Sequence, residues 1–197
     1  SVTIFAGQVV FSTLMDIDPW KGALVVVVAT GIYTVLGGLR AVLYTDLIQT
    51  FVLIGGAVAL LITGVMAVGG WGEMASSAGD QMMDLWKPMS DPEFPWTGIL
   101  LGAPILGVWY WCTDQFIVQR VLSAKDQDEA RRGTVFAGYL KLLPLFIFVV
   151  PGVVAYSLAQ RGLITLEHPD QALPTLVAAL MPDGLRGIVV AGLLAAL

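Results

Sequence analysis

The sequence predicts an all-α integral membrane protein, and three observations carry that prediction. Of 197 residues, 57% are hydrophobic and 13% charged, about half the charged fraction of a soluble domain, and mean hydropathy is +0.81. Apolar runs near the roughly 20 residues that cross a bilayer as helix alternate with short polar turns. One run carries the polar and aromatic string Gly107-Val-Trp-Tyr-Trp-Cys-Thr-Asp-Gln115. A carboxylate in hydrocarbon is costly unless it faces a cavity or a partner, so Asp114 marks function.

About five spans and part of a sixth are expected. Residues 1 to 15 read as the end of a longer helix, since no charged segment precedes them and no small-residue cleavage site follows. Asp16-Ile-Asp18-Pro19 is a polar stop and restart, with Pro19 suited to a helix first turn. Residues 19 to 37 form a span; Gly37-Gly38 ends it, Arg40 lies in a tight turn, and a second span runs from 43 to 68. Residues 69 to 95 are the longest polar stretch, with one amphipathic piece near 73 to 86.

Residues 96 to 121 form a span broken near 107 to 113. A charged hinge covers 123 to 132, and a further span covers 133 to 158. Residues 163 to 183 are a loop whose apolar segment, 173 to 181, is too short to cross. Residues 184 to 197 begin another span. Arg40, Arg120, Lys125, Arg131 and Arg132 fall in loops on one side, Lys21, Lys87, Arg161 and Arg186 on the other. The first set is packed into two short loops, which places 38 to 44 and 120 to 132 in the cytoplasm and 69 to 95 outside.

Composition also excludes classes. A single cysteine, Cys112, rules out an internal disulfide framework, and the lone His168 leaves no His/Cys metal cluster, so no cofactor is expected. The net charge of −5 is spread over loops, which gives nucleic acid no basic surface to bind. An intramembrane enzyme using Asp114, Cys112 or Lys141 lacks a second carboxylate, histidine or serine motif in register.

Thr113, Asp114 and Gln115 read as a helix N-terminus inside the broken span, where a Thr or Asp side chain caps exposed amides. Broken helices at mid-membrane build substrate and ion sites in secondary transporters. Trp109, Tyr110 and Trp111 admit a second reading, as packing or an interfacial aromatic belt.

Four segments together resemble the sodium/solute symporter family, nearest its sodium/glucose cotransporter branch. They are Gly31-Ile-Tyr-Thr-Val-Leu-Gly-Gly-Leu-Arg-Ala-Val-Leu-Tyr-Thr-Asp-Leu-Ile-Gln49, Trp109-Tyr-Trp-Cys-Thr-Asp-Gln-Phe-Ile-Val-Gln-Arg120, Gly138-Tyr-Leu-Lys-Leu142, and Pro174-Thr-Leu with Met181-Pro-Asp-Gly-Leu-Arg186. The resemblance runs in order along nearly the whole chain. It implies part of a LeuT-type inverted-repeat fold: the end of core helix 3, helices 4 to 7, an external loop helix and the start of helix 8.

The resemblance also implies roles. Tyr110 matches the aromatic that closes the inner side of the pocket in sugar-carrying members, with Trp111 its neighbour. Lys141 matches a lysine that reaches a sugar hydroxyl, or else forms an intramembrane ion pair with Asp114. Asp46 matches an aspartate on the sodium exit route, with a helix cap after Gly37-Gly38 as its alternative. Gly107 stands where sugar carriers have a hydroxyl or amide side chain, and Thr3 where some animal members are acidic.

The main sodium site is implied on helix 1 and the rest of helix 8, outside these residues. The implied activity is sodium-coupled import of a small polar solute, a sugar or polyol, by a multi-pass protein of the cell membrane. Two alternatives stand beside it: a transporter-like sensor module ahead of a signalling domain, and carriage of a non-sugar solute such as an amino acid, carboxylate or vitamin. The chain has no asparagine and so no N-glycosylation acceptor, which favours a bacterial inner membrane.

Overall fold

A computed structural model describes residues 7, 9, 10, 12, 13, 17 to 84 and 86 to 195. The rest of the expected span at 1 to 15, with Thr3, lies outside the described residues, as do Asp16 and residues 196 and 197. Every regular element among the described residues is helical. The chain divides into two compact units: Ser1–Ala78 with Pro144–Leu197, and Gly79–Leu143.

In the first unit α1 covers Pro19–Val68. Asp18 caps it, its Oδ1 accepting the Trp20 amide at 2.9 Å, and Pro19 opens the first turn with the preset φ that a helix needs. The break expected at Gly37-Gly38 is found, since two helical stretches of α1 meet there, but the turn is shorter than the expected 38 to 44. Only Gly38 leaves helical backbone, at φ 59° and ψ −165°. Glycine reaches that conformation without a Cβ clash, so one residue separates the two stretches and the second takes in Leu39 to Tyr44.

α1 ends at Gly69, whose φ of 102° is left-handed. The Gly69 amide donates to the Met66 carbonyl at 3.1 Å and the Gly70 amide to Val65 at 2.8 Å, the two bonds of a Schellman close. The chain then enters α2, Trp71–Ala78. After the second unit it returns through a π-helical turn, Leu145–Val149, into α7, Val150–Gln160, then α8, Ala172–Leu180, and α9, Asp183–Ala195.

Leu60, Val68, Met74, Val154, Leu158, Leu176 and Val177, drawn from α1, α2, α7 and α8, are almost fully buried. Van der Waals packing among these side chains holds the helices together. α1 approaches α9 through Gly56, where a Cβ would fall 2.5 Å from Val189 Cγ2. A larger residue there would drive the helices apart.

In the second unit α3 is Asp80–Met83, α4 Trp96–Val108, α5 Gln115–Leu122 and α6 Gln127–Leu140. The hinge expected to extend to 132 is shorter, because α6 already starts at Gln127. Asp126 caps it by accepting the Glu129 amide at 2.8 Å, and Asp128 and Glu129 favour the positive end of the helix dipole. Between α3 and α4 the loop is held by its acids. Asp91 Oδ1 accepts the amides of Phe94 at 2.8 Å and Glu93 at 3.0 Å. These bonds, the Phe94 one foremost, hold its carboxyl below the ordinary carboxylate range. Trp86 stacks on Trp96 at the head of α4, centroids 5.9 Å apart.

Two helical runs, Thr34–Val68 and Gln127–Gln160, are long and apolar enough to cross a membrane, and Trp20–Ile32 is apolar but shorter.

Candidate functional site

The second unit gathers Gly107, Tyr110, Trp111, Thr113, Asp114, Gln115 and Lys141. Their placement starts from Pro104 inside α4. Proline has no amide hydrogen, so the helix loses one bond a turn before Gly107. From Trp109–Thr113 the backbone widens into a π-helical turn, and the Asp114 amide reaches back five residues to the Trp109 carbonyl at 2.9 Å. Such turns are uncommon and concentrate at functional positions.

Asp114 then leaves helical backbone, with ψ 114°. Its Oδ1 accepts the Phe116 amide at 3.0 Å, so the carboxylate is the N-cap of α5, and Gln115 is the first residue of that helix. Thr113 turns the other way. Its Oγ1 donates to the Trp109 carbonyl at 2.8 Å and closes the π turn. The break therefore has a different hydroxyl or carboxyl on each side.

Lys141 is the C-cap of α6, its amide donating to Ala137 at 3.0 Å. Its Nζ donates to Tyr110 Oη at 2.8 Å, and the ammonium stands 4.1 Å from the centroid of that ring. Both contacts are favourable: a charge-assisted hydrogen bond and a cation near an aromatic face. The ion pair expected as an alternative, Lys141 with Asp114, is not the contact found, because Asp114 is turned to its own helix start and Lys141 to the phenol.

Trp111 meets Tyr110 edge to face, centroids 5.3 Å apart at 82°. Tyr110 and Trp111 are half-buried while Trp109 is 52% exposed. Two of the three aromatics therefore belong to the Lys141 cluster, and Trp109 stands apart from it. Gly107 lies one turn before Tyr110, and a Cβ built on it meets nothing within 4 Å. The space that a polar side chain would fill is open.

Asp46 belongs to the first unit, half-buried within α1 and eight residues beyond Gly38. Its carbonyl accepts Thr50 Oγ1 at 2.7 Å. The helix-cap alternative is thereby corrected, since the residue sits in continuous helix rather than at a start.

Lys141 also stands at a second irregularity that the sequence expectations do not include. The Leu142 amide bonds to Tyr139, three residues back, and Pro144 and the π turn at Leu145–Val149 follow. The signal was Pro144, which cannot continue a helical hydrogen-bond ladder. Among the described residues no three His, Cys, Asp or Glu side chains could hold a metal together.

A family model described as "Sodium:solute symporter family" matches residues 1–197. Sodium/glucose cotransporter 4 of Mus musculus is 35% identical over 229 aligned positions, covering 100% of this chain and 33% of its own length. Sodium/myo-inositol cotransporter 2 of Homo sapiens is 37% identical over 227 positions, covering 100% of this chain and 34% of its own length. A sodium/mannose cotransporter of Bos taurus is 33% identical over 227 positions, covering 100% and 38%. The chain thus spans about a third of the length of these relatives.

Proposed function

Since the chain belongs to the sodium:solute symporter family, we propose that it is the central section of a sodium-coupled symporter importing a sugar or polyol by alternating access. The observation that carries this reading is the Lys141–Tyr110 pair beside Trp111, set where two helical runs are interrupted. An ammonium has three donors. One is spent on Tyr110 Oη, which leaves two for solute hydroxyls and turns the phenol O–H outward as a further donor. The ring faces of Tyr110 and Trp111 offer the apolar side of a sugar a stacking surface.

Asp46 is proposed on the sodium exit route, where a carboxylate guides a cation. Sodium binding favours the outward-open state, solute permits closure, and coupling is the difference in affinity between the two states. Each sodium ion entering down about 100 mV supplies about 2.3 kcal/mol before its concentration gradient is counted. The fold proposed for the whole protein is the LeuT-type inverted repeat, in a bacterial inner membrane. The relatives named for glucose, mannose and myo-inositol support a polyhydroxylated solute. Gly107 leaves one polar contact to be supplied from elsewhere.

The test is uptake by the full-length protein across a panel of labelled sugars and polyols, with sodium or choline outside. Sodium should stimulate uptake of at least one. No stimulation for any member of the panel would reject a sugar or polyol as the solute.

A further inference from the structure

Arg161 follows α7 directly, and its guanidinium makes five hydrogen bonds to three residues of the first unit. Nη1 donates to the Val68 carbonyl at 2.6 Å, at the C-terminal end of α1. Nη2 donates to Glu73 Oε2 at 2.9 Å, the Glu73 carbonyl at 3.3 Å and Ser77 Oγ at 2.7 Å, all in α2, and Nε donates to Ser77 Oγ at 3.1 Å. One turn earlier on the same face of α7, the fully buried Ser157 donates to the Met74 carbonyl at 3.3 Å. Met74 and Ala78 of α2 are buried. The eight-residue α2 is therefore docked along one face by apolar contact and by two side chains spaced i, i+4.

The local backbone is shaped for this docking. Gly69 and Gly70, at φ 102° and 106°, turn the chain back from α1 into α2, and Gly162, at φ 70°, closes α7 beside Arg161. A planar guanidinium can serve carbonyl, carboxylate and hydroxyl acceptors at once, which a lysine ammonium cannot do in the same geometry. Only 32% of the Arg161 side chain is exposed, so its hydrogen bonds are partly shielded from water.

We propose that α2, clamped by Arg161, is a crossbar that keeps the adjoining ends of α1 and α7 together as one body throughout the transport cycle. Its meaning for transport rests on the symporter reading, but the clamp itself does not. Loss of the guanidinium frees the Val68 and Glu73 carbonyls together, so both helix ends loosen at once rather than α2 alone.

Hydrogen–deuterium exchange of the full-length protein in lipid nanodiscs tests this. In the native protein, protection of residues 64 to 78 and 154 to 162 should stay matched with and without sodium and solute. Arg161→Gln should raise exchange in both segments by on the order of tenfold, and Arg161→Lys should raise both by less. If ligand changes the protection of one segment and not the other, the two ends are not one body. Loss of protection confined to α2 in Arg161→Gln, or native protection in Arg161→Lys, would likewise overturn the proposal. Should Arg161→Gln fail to fold, the native protein and Arg161→Lys still decide. Uptake by the same preparations reports separately on the symporter reading.

Discussion

At the scale of single residues, Tyr110 and Lys141 form a pair whose members should lose function together. Tyr110→Phe keeps the ring and removes the acceptor, while Lys141→Met keeps the stem and removes the donors. A hydrogen bond to a charged group contributes about 1.5–3 kcal/mol, so each substitution should weaken apparent solute affinity by about tenfold or more. The double substitution should cost less than the sum of the two singles, because both remove the same Lys141–Tyr110 bond while each also removes its own contact with solute. Additive losses in a double-mutant cycle on uptake would mean the two residues act separately. Sequence made these residue types legible through motif resemblance, and it offered Lys141 a solute hydroxyl or Asp114 as partner rather than the phenol. That choice depends on where two distant helix ends meet, 31 residues apart along the chain, and no local pattern encodes it.

At the scale of elements, the break after the π turn is the feature most open to a local test. Asp114 acts here by accepting the Phe116 amide, a task that asparagine performs equally well. Asp114→Ala should therefore lower the stability of the full-length protein by about 1 kcal/mol, read as a fall in thermal midpoint, while Asp114→Asn should stay near native. Equal damage from both would show that the charge itself is needed. Thr113-Asp114-Gln115 announced this helix start because those residue types compete for backbone amides. Gly37-Gly38 marked the break but not its length, since glycine serves a turn of several residues and a single-residue one equally well. The second irregularity carried its own signal in Pro144, but the apolar residues around it read as an unbroken span.

At the scale of the whole molecule, the apolar surface decides where the chain can exist. Trp20, Val35 and Leu36 are more than 80% exposed, and the Thr34–Val68 helix buries little of its apolar length within the protein. Monomeric soluble proteins do not carry contiguous apolar faces of this kind. The full-length protein should stay with membranes through alkaline carbonate washing and enter solution only with detergent; release by carbonate alone would contradict a membrane-spanning fold. Composition made this much plain from sequence. The Arg161 clamp had no such herald, because its partners lie 84 to 93 residues away and a lone arginine in a loop resembles any solvated charge. That clamp also settles an electrostatic matter. The C-terminus of a helix presents partial negative charge that attracts cations, but the end of α1 already has two carbonyls closed by glycine amides and a third by a guanidinium. The partial negative charge at that end is thus met by donors of the protein itself, and the guanidinium's own charge is met in turn by the Glu73 carboxylate.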